Sequence, residues 1–268
     1  MNTTSEVAVG RVDGVVEGGI GWIVFDNQRR HNAMSMAMWE QLSEVLDKHV
    51  ADPEVRVIVL KGAGDKAFVS GADISEFEKR RSTPEQSDAY SDAGTRAYTA
   101  LADCPKPTVA MIHGYCLGGG LAIAVNCDIR IAAEGSTYSI PAAKLGIGYM
   151  VAGVERLLNL VGPAWTKEIF FSARRFEAAE ALNMGLVNRV VPLENLADDV
   201  LTTAKQIASN APLTIAAAKM AVDELLKDSA NRNLGACERA IAACMQSSDF
   251  VEGRRAFMEK RPPRFTGA

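Results

Sequence analysis

Two short runs rich in β-branched residues, 20–25 (IGWIVF) and 55–60 (VRVIVL), enclose a stretch with a different period. Between them Met38, Leu42, Val45, Leu46 and Val50 recur at helical spacing, with Ser35 placed as an N-cap and Asp52-Pro53 as a stop. A strand–helix–strand order of this kind requires a layered α/β fold, because each apolar face must be covered by an element of the other type. The pattern continues with a polar helix over 84–103, a buried strand over 108–112, a glycine cluster, an apolar helix near 120–126 and a strand over 128–132. Gly185 reads as the C′ residue of a helix, and 187–191 as the last strand. From about residue 193 the chain reads as helices, with stripes such as Leu213, Ala217, Met220 and Leu225. Asp249 and Glu252 have the spacing of a capping arrangement for the final helix. The expected organisation is an α/β core over 1–192 and a helical region over 193–268.

Composition narrows the function classes. The net charge of −4 argues against a nucleic-acid partner, which calls for a basic surface. Five cysteines without a CxxC pair predict reduced thiols and no metal site. The start MNTTSEVAVG lacks the pattern of a signal peptide, and no apolar run approaches the ~20 residues that span a bilayer. A cytoplasmic protein without a membrane partner is expected.

No GxSxG, HExxH or GxxxxGK[ST] motif occurs, so a serine hydrolase, a zincin and a P-loop enzyme are not indicated. Two other segments follow predicted strands: 67–74 (AFVSGADI) and 113–120 (HGYCLGGG). A strand–glycine–helix junction leaves backbone N–H groups unpaired and aims the positive end of a helix at whatever sits there. Consecutive glycines admit a ligand close to the main chain, although they serve tight packing equally well.

Together the two segments resemble the crotonase (enoyl-CoA hydratase/isomerase) superfamily. The likeness runs from 29–35 (RRHNAMS) through AFVSGADI and GYCLGGG to 256–265 (AFMEKRPPRF). It implies a crotonase-like spiral of ββα turns with a helical C-terminal oligomerisation region, and a homo-oligomer, a trimer or a dimer of trimers. It also implies an enzyme acting on an acyl-CoA thioester, with no cofactor beyond the CoA moiety of the substrate. In the family two main-chain N–H groups hold the thioester oxygen; by likeness these fall at Ala72 and Gly119. Fixed amide donors stabilise an enolate without reorganising, each contributing ~10²–10³ in rate. CoA contacts are implied for Arg29, Arg30, His31 and Ala33, for Asp73 and Ile74 of the GADI motif, and for Phe257 and Lys260.

One departure directs the specific reading. Hydratases of the family carry two glutamates as general acid and base, and the matching positions here are Ala122 and Ala142. A methyl group moves no proton, and each lost acid or base forfeits ~10²–10⁴ in rate. Decarboxylation of a malonyl-type CoA needs neither glutamate, because loss of CO₂ generates the enolate directly. The 136–154 segment resembles the methylmalonyl-CoA decarboxylase branch, whose functional tyrosine matches Tyr149, although that branch has histidine where Ala72 stands. Tyr149 reads either as a catalytic hydroxyl or as a packed aromatic. Two alternatives stand beside the lyase: a hydratase or isomerase using other acids, such as Glu76 or Glu78, and a non-catalytic acyl-CoA binder.

Overall fold

The computed structural model describes residues 10–73, 76 and 84–268. It opens with a hairpin of β1 (Arg11–Glu17) and β2 (Ile20–Asp26), turned by Gly18 and Gly19, both at positive φ. β3 (Val57–Gly62), β5 (Thr108–Ile112), β7 (Ile129–Ala133) and β10 (Arg189–Val191) extend this sheet in the order β1-β2-β3-β5-β7-β10, parallel from β2 onward. A second sheet is made of very short strands: β4 (Ala67–Val69), β6 (Tyr115–Leu117), β8 (Thr137–Ser139) and β9 (Phe176–Glu177). The chain alternates between the sheets and then enters a helix: β3, β4 and α2 (Pro84–Ala102); β5, β6 and α3 (Gly119–Val125); β7, β8 and α4 (Ala142–Leu145). This is the expected spiral of ββα turns.

β3 shows why its sequence is apolar without alternation. Ile58 and Leu60 face the main core with Phe25, Phe68 and Leu42, while Val57 and Val59 face Leu196, Val200 and Ala204 of α7 (Leu196–Ser209). Both faces of a parallel strand are covered, so both are hydrophobic. Helix α1 (Met36–Ala51) starts at Ser35, whose hydroxyl accepts the Met38 N–H at 3.3 Å. It ends where Lys106 Nζ donates to the His49 and Asp52 carbonyls at 2.8 and 2.6 Å.

α5 (Val151–Ser172) is broken at Gly162-Pro163, and α6 (Ala178–Asn183) closes on Gly185 at positive φ, as its sequence predicts. Beyond β10 the chain is helical, through α7, α8 (Pro212–Leu226), α9 (Leu234–Gln246) and α10 (Ser248–Met258). Lys219 Nζ on α8 pairs with Asp128 at 2.8 Å and so ties this region to the start of β7. The last helix is not capped by the expected Asp249–Glu252 pair. The N-cap of α10 is Ser247, which accepts the Phe250 N–H at 3.1 Å. Asp249 instead accepts the Thr266 and Gly267 N–H groups, and Glu252 binds Arg261, so these carboxylates hold the C-terminal tail. No helix among the described residues is long and apolar enough to cross a membrane. The five cysteines are unpaired thiols, and no cluster of metal-ligating side chains occurs among the described residues.

Candidate functional site

The two glycine segments meet because β4 and β6 pair in parallel, with Ala67 opposite Tyr115 and Val69 opposite Cys116. The chains leave these strands at Gly71 (φ 118°) and Gly118 (φ 51°). The approach is close: a methyl group on Gly118 would sit 3.8 Å from Gly71 Cα, and one on Gly120 would collide with the Val69 carbonyl. Here the glycines are required by backbone-to-backbone packing and by positive φ.

Ala72 lies in an isolated parallel bridge with Met34. The Met34 N–H donates to the Gly71 carbonyl at 2.8 Å, and the Asp73 N–H donates to the Met34 carbonyl at 2.8 Å. Both hydrogen bonds of the bridge straddle Ala72, so its own N–H is directed to the opposite side. Gly119 is the first residue of α3, where an N–H has no acceptor within the helix. Neither side chain obstructs the space, and both positions are partly open to solvent. The junction therefore presents two main-chain donors from the ends of adjacent strands, one of them at the positive end of a short helix.

The 27–34 loop that supplies Met34 is built around Asn32, which sequence reasoning passed over. Asn32 is buried at positive φ (57°). Its amide nitrogen donates to the Ala63 and Ala67 carbonyls at 2.9 and 2.8 Å, and its amide oxygen accepts the Asn27 N–H at 3.0 Å. Arg29 is exposed on this loop, and Ala33 is buried. Arg30 pairs with Asp73 at 2.6 Å and thereby links the loop to the GAD motif. His31 lies edge-on to Tyr115, with ring centroids 5.7 Å apart. Ile74 and Glu78 fall outside the described residues. Glu76 accepts the Met36 N–H at 2.8 Å, at the N-terminus of α1.

Ala122, on α3, and Ala142, at the start of α4, are both buried. Tyr149 packs edge-on against Phe170, with centroids 4.9 Å apart. Burial pushes its hydroxyl up to about 12, so it stays protonated through the neutral range and can donate but not act as a base. The Thr95 hydroxyl oxygen lies 3.3 Å from Met150 Sδ, which brings this segment onto α2. That helix also carries Tyr98, whose hydroxyl oxygen would lie 3.2 Å from a methyl group on Gly119. Phe257 and Lys260 are exposed, and Phe257 lines an apolar groove with Leu213, Phe250 and Phe265. No interaction among the described residues joins Phe257 or Lys260 to the 29–33 loop or to Ala72 and Gly119.

A model of the Enoyl-CoA hydratase/isomerase family matches residues 16–268. The chain belongs to the enoyl-CoA hydratase/isomerase (crotonase) family. It is 33% identical over 245 residues to a short-chain-enoyl-CoA hydratase of Clostridium acetobutylicum, covering 91% of this chain and 93% of that protein. It is 36% identical over 242 residues to a carnitinyl-CoA dehydratase of Citrobacter koseri, covering 88% and 91%. Among solved structures, an enoyl-CoA hydratase/carnithine racemase from Magnetospirillum magneticum superposes with a TM-score of 0.90 at 35% identity, covering 97% of each chain. A crotonase-family chain is an enzyme of acyl-CoA thioesters.

Proposed function

We propose that this protein is an acyl-CoA lyase that carries its substrate through a thioester enolate, with decarboxylation of a malonyl-type CoA as its specific reaction. The observation that supports this best is the combination of two outward main-chain donors with buried methyl groups at 122 and 142. In the reaction the bond from Cα to the carboxylate breaks, and its electron pair forms the Cα–C double bond. The carbonyl oxygen takes the negative charge against the Ala72 and Gly119 N–H groups, and CO₂ leaves. Cα then takes a proton, for which the protonated Tyr149 hydroxyl is the assigned donor, itself recharged from water. A site without carboxylates at 122 and 142 repels the substrate carboxylate less. Arg29, Arg30, His31 and Ala33 are assigned to the CoA moiety with Asp73 and Ile74. Phe257 and Lys260 would reach CoA in a homo-oligomer, a trimer or a dimer of trimers. Exposed Ile241, Met245, Val251 and Met258 support such an assembly through the 193–268 region.

The names of the relatives favour a second reading, hydration of an enoyl-CoA. It needs a carboxylate at some position other than 122 and 142, and Glu76 is engaged at the start of α1. One reaction mixture separates the readings: purified protein with crotonyl-CoA and methylmalonyl-CoA, followed by mass spectrometry. Loss of CO₂ from methylmalonyl-CoA alone is expected. Gain of water by crotonyl-CoA alone would replace the lyase with a hydratase. Binding of both without turnover would make the protein a non-catalytic acyl-CoA binder.

A further inference from the structure

We propose that Trp39 and Tyr90 are positioning residues that hold the two halves of the oxyanion hole in register. The inference rests on the assignment of that hole to the Ala72 and Gly119 N–H groups. Trp39, on α1, donates from Nε1 to the Tyr90 hydroxyl oxygen at 3.0 Å. Tyr90, on α2, donates in turn to the Met34 carbonyl at 3.0 Å. That carbonyl also accepts the Asp73 N–H, so both of its lone pairs are used, one by the bridge around Ala72 and one by Tyr90. Met34 is the residue opposite Ala72, and its orientation sets the plane of the Ala72 peptide.

The same indole reaches the other donor. A methyl group on Gly119 would lie 3.2 Å from Trp39 Cζ2, so the ring edge forms the wall against which the first turn of α3 rests. Tyr98 packs edge-on to that indole, with centroids 5.1 Å apart, and backs it from α2. Trp39 is thus in contact with the Gly119 half directly and with the Ala72 half through one hydrogen-bonded hydroxyl. Trp39, Tyr90 and Met34 are all buried, so no water competes for these bonds and the Tyr90 rotor is fixed from both ends. Two donors from different ββα turns need such a tie, because a misplacement of about 1 Å costs on the order of 10²-fold in rate. Neither residue touches the thioester in this arrangement; they act through Met34 and the first turn of α3.

The test uses the full-length protein and 4-dimethylaminocinnamoyl-CoA, a donor–acceptor thioester whose absorption moves to the red as charge accumulates on its carbonyl oxygen. The wild-type chain is expected to bind it with a red shift. Tyr90→Phe and Trp39→Phe are expected to bind the probe within about threefold of wild type, because uniform binding is spared, and to lose at least half of the shift. The double variant is expected to lose more of the shift than either single one, because Trp39 also bears on the Gly119 half directly, independently of Tyr90. Circular dichroism confirms the fold, and if either single variant does not fold the other carries the test. Folded variants with the full wild-type shift would overturn the positioning role and leave the hole assignment intact. A wild-type spectrum without any shift would overturn the hole assignment itself, and the positioning role with it.

Discussion

Replacing Asn32 separates two contributions that the loop before α1 combines. The side chain makes three hydrogen bonds, two donated to the Ala63 and Ala67 carbonyls and one accepted from the Asn27 N–H. At about 1 kcal/mol net for each bond, Asn32→Gly should destabilise the fold by about 3 kcal/mol. The backbone at this position has φ 57°, which glycine adopts freely and alanine does not. Asn32→Ala should therefore lose the same bonds and a further ~1–2 kcal/mol of left-handed strain. The assay is urea denaturation of wild type, Asn32→Gly and Asn32→Ala at one fixed protein concentration, because any self-association shifts the midpoint. Equal midpoints for the two variants would refute the strain argument. Two variants within about 1 kcal/mol of wild type would refute the hydrogen-bond argument. The loop also carries Met34, so losses here should reach the bridge at Ala72 and lower activity beyond the loss of folded protein.

Tyr149→Phe keeps the ring packed on Phe170 and removes only the hydroxyl; turnover should fall about 10²-fold or more with KM little changed, and an unaltered turnover number removes Tyr149 from the chemistry. Gly120→Ala should give no stable folded protein, because its methyl group meets the Val69 carbonyl, whereas Gly148→Ala points into open space and should change the unfolding free energy measured in urea by less than about 0.5 kcal/mol. Glu252 titrates at about 2 because Arg261 and the Arg264 N–H hold its carboxylate, against an ordinary value of 4.5. The contribution of this depressed group is complete above pH 4.5 and is lost as pH falls toward 2, so Glu252→Gln should flatten the acid limb of a stability–pH profile in that window.

Elements whose pattern is local were legible in the sequence, and those defined by a distant partner were not. β2 and α1 follow directly from their periods, and Ser35 caps α1 as its position predicts. β4, β6 and β8 have three residues each, too few to display a period, and exist only because they pair with one another. Asp249 and Glu252 show how a local pattern misleads. Their spacing suits a cap, but the tail at 261–267 supplies stronger partners, and Ser247 takes the capping role. At the candidate site, Ala72 and Gly119 were named through likeness of motif. Nothing local indicated that Met34, some forty residues earlier, would bracket one of them. Trp39 sits on the apolar stripe of α1 and reads as ordinary core. Its link to the site is visible only once Tyr90 and Gly119 are placed beside it.

The buried methyl groups at 122 and 142 define the last experiment, because they can be turned back into carboxyl groups. Ala122 lies in the first turn of α3, where its N–H returns to the Gly118 carbonyl at 3.0 Å. Ala142 is the first residue of α4. A carboxylate at either helix start is favoured by the exposed N–H groups there, yet burial penalises the charge and raises its pKa. A pair of such carboxyls, one ionised and one retaining its proton, is what acid–base addition of water requires. Ala122→Glu combined with Ala142→Glu should therefore give or raise hydration of crotonyl-CoA and suppress decarboxylation of methylmalonyl-CoA, because the added charge repels the substrate carboxylate. Absorbance at the enoyl thioester band follows the first reaction, and released CO₂ follows the second. A folded double variant that still decarboxylates at the wild-type rate would show that these positions do not face the substrate. Crotonyl-CoA hydration by the wild type at the rate of the double variant would show that the two alanines never limited the chemistry.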